Sequence, residues 1–120
     1  ITKENDGMVF NVSLNYGGKL DILHAVKNIV NKVENNELSL NNINENTVRE
    51  NLLSSRISDV DLIIRTSGEQ RISNFLFWQL AYSEFYFSPV LWPEFDENEL
   101  IKAIDKYTER DRRYGISKQL

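Results

Sequence analysis

Apolar and polar residues alternate along positions 8–14, where Met8, Phe10, Val12 and Leu14 share one face, so the pattern predicts a first strand. Asn15-Tyr16-Gly17-Gly18 reads as a turn. After Asp21 the period changes. Leu23, Val26, Val30 and Val33 recur at three, four and three, with Ile22 and Ile29 widening the stripe, and this predicts a helix that stops near Asn35-Asn36. Six of the twelve residues from 35 to 46 are Asn, which suits a solvated loop. Asn44 or Asn46 then opens a short second helix through Leu52-Leu53.

Val60-Asp61-Leu62-Ile63-Ile64 is a nearly continuous apolar run, the pattern of a strand covered on both faces. A polar loop follows over 66–71, and Ser73 or Asn74 is placed to cap a helix reaching about Tyr82. Phe85-Tyr86-Phe87 is a further strand candidate, and Pro89 and Pro93 bracket Val90-Leu91-Trp92. Asp96-Glu97-Asn98-Glu99 has the form of a capping box, with Phe95 and Leu100 as its hydrophobic staple. The last helix is expected to turn Leu100, Ala103, Ile104 and Tyr107 inward and to end near Gly115. Strands alternating with helices predict an α/β fold with a mostly parallel sheet. Three strands make that sheet thin, so the chain reads as the second half of a domain.

Length and composition sharpen this picture. At 120 residues the chain is one domain or less, and an initial Ile in place of Met fits a piece of something longer. A hydrophobic content of 41% suffices for a core. The absence of Cys excludes disulfides, thiolate zinc sites and a cysteine nucleophile, and a single His24 excludes most multi-histidine metal sites. A net charge of −4 disfavours generic nucleic-acid binding. The most apolar stretch, Phe75–Phe87, is too short to span a bilayer, and no signal-peptide pattern opens the chain, so a cytoplasmic location is expected.

The candidate chemistry lies between Asp61 and Asn74. Where a buried strand ends and a helix begins, open α/β sheets bind ligands. Arg65 and Arg71 could each grip phosphate oxygens, Ser73 could donate from the cap, and the helix start would add unpaired N–H groups. The same residues also suit a solvated loop in which Arg65 pairs with Asp61 or Glu69 and Ser73 only caps. Glu84 follows the aromatic stretch, and a carboxylate there needs either a salt bridge or a metal. The charges of Lys106–Gly115 alternate in sign, either as a solvated helix face or as an anion contact offered to a partner.

At these residues the chain resembles the cis-prenyltransferases, most closely the bacterial undecaprenyl diphosphate synthases, over essentially its whole length. Asn15-Tyr16-Gly17-Gly18-Lys19 is similar to the family's Asn-Tyr-Gly-Gly-Arg, with Lys in place of Arg. Asp61 to Phe87, continued by Leu91-Trp92-Pro93-Glu94-Phe95, resembles its long signature, and Arg113-Tyr114-Gly115 its Arg-x-Gly tail. The resemblance implies a parallel-sheet α/β domain of which residues 1–120 are the C-terminal portion. It implies condensation of isopentenyl diphosphate onto an allylic diphosphate such as farnesyl diphosphate, assisted by Mg2+, in a homodimeric parent that is at most peripheral to the membrane through its lipid product. By the same resemblance Arg65, Arg71 and Ser73 would hold isopentenyl diphosphate, and Glu69 would be supportive. Glu84 would bind the metal, and in homodimers it would serve the neighbouring subunit's site. Arg113 and Gly115 would reach a diphosphate across the dimer. The family's Asp-Gly-Asn-Gly-Arg loop does not occur in this sequence, Asp6-Gly7 being only an echo of it. The chain alone is therefore expected to be inactive. A non-catalytic accessory subunit or a diphosphate-binding fragment is the alternative.

Overall fold

The computed structural model describes residues 2–110. Helix α1 spans Gly18–Glu34, α2 Glu45–Asn51 and α3 Glu97–Thr108, while strands β1 (Leu62–Arg65) and β2 (Glu84–Phe87) form the sheet. The strands are parallel, with Leu62 opposite Glu84 and Arg65 opposite Phe87. α1 packs on α2, and α3 lies on β2. The architecture is α/β with a parallel strand pair, as the alternation of elements predicts.

Local signals account for the helix ends. Asn44 caps α2 in a reciprocal box with Thr47, and Asn35 caps the end of α1, with Asn36 beyond it at φ 59°. At α3 only half of the expected box forms. Asp96 accepts from the Glu99 backbone at 3.0 Å, while the Glu99 carboxylate turns to Lys102.

Five expectations need correction. Residues 8–14 form no strand, and Met8, Phe10 and Leu14 are each more than 80% exposed. Alternation prepares a strand, but a strand exists only through hydrogen bonds to a neighbour, and no described segment pairs there. Residues 73–82 form no helix. Ser73, Asn74 and Leu76 all have positive φ, which ends any right-handed helix, and the backbone bonds distant partners instead, as in Val60 N to Gln79 O at 3.0 Å. On α1 the buried face carries Gly18, Asp21, Ala25 and Ile29, while Leu23, Val26 and Val30 are about half exposed. On α3 only Ala103 is buried, with Leu100 and Ile104 exposed. β1 is likewise half-buried rather than covered on both faces. Among the described residues no helix is long and apolar enough to cross a membrane.

Hydrogen bonding explains the face that α1 buries. The Asp21 carboxylate, 1% exposed, accepts from Tyr16 Oη at 2.6 Å, Leu53 N at 2.6 Å, Ser54 N at 3.4 Å and Ser54 Oγ. Gln79 Nε2 reaches the same Ser54 Oγ at 2.7 Å. A buried carboxylate demands such donors, and all of them lie on one side of α1. The side chains at i+4 and i+8, Ala25 and Ile29, are buried with it.

Burial, with the Asp21 hydrogen bond second, pushes the Tyr16 phenol from 10.0 up to about 12. The folded state then holds this proton more tightly than the unfolded chain does. The stabilisation is complete below pH 10 and is lost as pH rises from about 10 towards 12. Unfolding titrations of wild type and Tyr16→Phe should therefore converge at high pH, because the variant lacks this component of the alkaline loss.

Candidate functional site

Beyond Arg65 the backbone continues to follow β2. Ser88 N donates to Arg65 O at 2.8 Å, Gly68 N to Ser88 O at 2.9 Å, and Ser67 N to Val90 O at 2.7 Å. Ser67 (φ 66°) and Gly68 (φ 68°) turn the chain sharply, a conformation in which glycine carries no side-chain penalty. The wholly buried Ser88 sits beneath this turn, its hydroxyl 3.5 Å from a Glu99 oxygen of α3. The sheet and α3 thus fix where the polar loop leaves β1.

The loop brings the predicted residues together. Arg65 donates from Nη1 to Ser73 Oγ at 2.9 Å across eight residues of chain. Arg71, 62% exposed, pairs with Glu69. The sequence reads this loop either as a phosphate grip by Arg65, Arg71 and Ser73 or as a salt-bridged loop; in the structure Arg65 bonds Ser73, and Glu69 pairs with Arg71. The expected helix N-terminus is absent, so the groups this loop could offer to an anion are the side chains of Arg65, Arg71 and Ser73. An exposed Arg–Glu pair contributes little stability and is screened by water, so Arg71 can exchange Glu69 for a phosphate at small cost.

Glu84 is elsewhere. It opens β2 opposite Leu62, three register positions from the end where Arg65 lies, or about 10 Å along the sheet. Its carboxylate accepts from Arg110 Nη1 at 2.5 Å, and Arg110 Nη2 also donates to Phe85 O at 2.8 Å. Glu84 thus forms a salt bridge with Arg110. Among the described residues no group of three or more Asp, Glu, His or Cys is arranged to hold a metal. Glu84 offers the hard oxygen that magnesium takes, but a single carboxylate engaged by an arginine does not complete a site. Arg113 and Gly115 lie outside the described residues.

Known proteins match this chain in sequence and fold. The family model described as undecaprenyl diphosphate synthase covers residues 1–115. The chain belongs to the undecaprenyl diphosphate synthase family. A ditrans,polycis-undecaprenyl-diphosphate synthase of Vibrio cholerae, named as specific for (2E,6E)-farnesyl diphosphate, is 52% identical over 98% of this chain and 47% of that protein. An isoprenyl transferase of Oceanobacillus iheyensis is 51% identical over 95% of this chain and 45% of its own length. The structure of lavandulyl diphosphate synthase from Lavandula x intermedia, in complex with dimethylallyl diphosphate, superposes with a TM-score of 0.82 at 42% identity, over 86% of this chain and 44% of that one. A probable undecaprenyl diphosphate synthase from Campylobacter jejuni gives 0.71 at 34% identity, over 86% of this chain and 45% of that one. The chain thus spans about half the length of the family members it matches.

Sequence reasoning missed three residues around the site. Asp21 reads only as a helix start, because spacing does not reveal that four donors converge on it. Arg110 reads as one of several alternating charges, and only folding brings it to Glu84. Asn74 reads, with Ser73, as one of two candidate caps for a following helix and instead serves the start of α1.

Proposed function

We propose that the complete protein to which this chain belongs condenses isopentenyl diphosphate onto an allylic diphosphate, forming a cis double bond. This chain would carry the isopentenyl diphosphate side. The observation that supports this most is the Arg65–Ser73 contact at the carboxyl end of β1, with Arg71 exposed beside it. A diphosphate concentrates negative charge. Two guanidinium groups and a hydroxyl on one loop hold it through charge-assisted bonds and fix its attached carbon chain in place for reaction. Glu69 orients Arg71 until the ligand replaces it. Farnesyl diphosphate is the proposed allylic partner, after the name of the Vibrio cholerae relative.

Magnesium belongs to the proposal as a cation arriving with phosphate oxygens and held in part by Glu84. When bound it would stabilise the charge of the departing diphosphate. The distance between Glu84 and the Arg65 loop supports its service to the second subunit of a homodimer rather than to its own chain. Arg113 and Gly115 are proposed, from their motif alone, to reach a diphosphate across the same dimer. A long apolar product supports a cytoplasmic enzyme peripheral to the membrane.

The test uses the complete protein with labelled isopentenyl diphosphate and farnesyl diphosphate. Chain elongation is expected from it, and none from residues 1–120 alone. Glu84→Gln and Arg71→Ala should each lower activity and raise the magnesium and isopentenyl diphosphate requirements respectively. Mixed subunits carrying one change each should regain activity. Tight association with a prenyltransferase partner, indifferent to Arg65→Ala and without turnover, would instead establish an accessory subunit.

A further inference from the structure

The Asn15–Lys19 motif has no part in the site described above, yet it touches the diphosphate loop. Helix α1 begins at Gly18 with Gly17 as its N-cap, and Gly17 has no side chain to satisfy the first N–H groups. Asn74 satisfies them from 55 and 56 residues away. Its backbone oxygen accepts from Gly18 N at 2.7 Å, and its Oδ1 accepts from Lys19 N at 2.9 Å. The two glycines permit this approach. A Cβ on Gly17 would lie 2.7 Å from Asn74 Nδ2, and one on Gly18 would lie 3.1 Å from the Phe77 ring.

Asn74 directly follows Ser73, the residue that meets Arg65. Both lie in the left-handed region, at φ 54° for Ser73 and 63° for Asn74. Two successive non-glycine residues there cost about 1–2 kcal/mol each, and such a conformation persists only where its surroundings impose it. Asn tolerates this region better than most residues, and Ser does not share that advantage. Released from α1, the pair would relax towards ordinary backbone, and the Ser73 hydroxyl would swing away from Arg65.

We propose that Asn74 is a positioning residue, tying the 71–74 segment to the first turn of α1 so that Ser73 stays on Arg65 and the loop is formed before a diphosphate arrives. This rests on the proposed function for its consequence, though not for its geometry. The Asn-Tyr-Gly-Gly motif then acts as the receptor for that tie.

Asn74 is exposed. The Oδ1 bond, the one that Asn74→Ala removes, is therefore of ordinary surface strength, so the substitution removes little stability while loosening the loop. In the complete protein, Asn74→Ala should raise KM for isopentenyl diphosphate, and weaken inorganic pyrophosphate binding by calorimetry, by about tenfold, leaving KM for farnesyl diphosphate within about twofold. Gly17→Ala, which displaces Asn74 without removing it, should act in the same direction. Asn74→Gly, which restores the left-handed backbone but not Oδ1, should recover part of the loss. Ile29→Val, a core change of α1, is the stability control and should leave both constants unchanged.

Amide hydrogen exchange provides a readout independent of any ligand. In Asn74→Ala, exchange should accelerate together at residues 17–20 and 71–74. Acceleration at 17–20 alone would overturn the inference, as would unchanged pyrophosphate binding in the variant, or an Ile29→Val loss equal to that of Asn74→Ala. A wild-type protein that binds no pyrophosphate but whose two segments still loosen together would refute the proposed function and leave the tie supported.

Discussion

Arg65→Ala in the complete protein is expected to lower kcat/KM for isopentenyl diphosphate by about 10²–10³-fold. A charge-assisted hydrogen bond contributes roughly 1.5–3 kcal/mol, and a fork of two reaches about 3–4 kcal/mol, each 1.4 kcal/mol being a factor of ten. The loss extends beyond the guanidinium, because Ser73 Oγ also loses its partner. Arg71→Ala should cost less, since Arg71 is 62% exposed and already shares its charge with Glu69. Arg65→Lys should not rescue, because a point charge cannot reproduce the planar fork. Steady-state rates at fixed farnesyl diphosphate, with pyrophosphate affinity alongside, provide the check. Unchanged values of both in Arg65→Ala would remove this loop from the proposed mechanism.

The second large effect concerns folding. Asp21→Ala should destabilise the complete protein by about 3–4 kcal/mol in urea titration, because it strands several donors around one buried position. Leu53 N loses its acceptor at 2.6 Å, as do Tyr16 Oη at 2.6 Å and Ser54 Oγ, on which Gln79 in turn depends. Asp21→Asn should restore only part of the stability, since its amide presents N–H groups to groups that themselves donate. A loss below about 1 kcal/mol would mean that the network does not set the seating of α1.

The network also shows where pattern reading failed. Periodicity ranks Leu23, Val26 and Val30 as the core stripe of α1, since it scores apolar residues and counts Asp21 as solvent-facing. In the structure a charged residue holds the buried face, and its neighbours Ala25 and Ile29 follow it inward. The 73–82 segment failed for a similar reason. Its apolar run suits a helix, but positive φ at Ser73, Asn74 and Leu76 directs its backbone bonds to α1 and to Val60. Neither outcome leaves a mark in the spacing of side chains.

Local chemistry was legible where its causes are local. The caps at Asn44 and Asp96, the halt at Asn35-Asn36 and the parallel pairing of two apolar runs follow from residues within a few positions of one another, or from the alternation of elements. The candidate site was legible as a set of residue types, because a loop of arginines and hydroxyls after a strand carries its chemistry in its composition. Which of those residues meet depended on contacts between segments far apart in the chain. Folding set Arg65 on Ser73, turned Glu84 to Arg110 at the other end of the sheet, and brought Asn74 to Gly18. Such contacts depend on the path of the backbone through space, and hydrogen bonds across tens of residues have no periodicity from which a sequence pattern could reveal them.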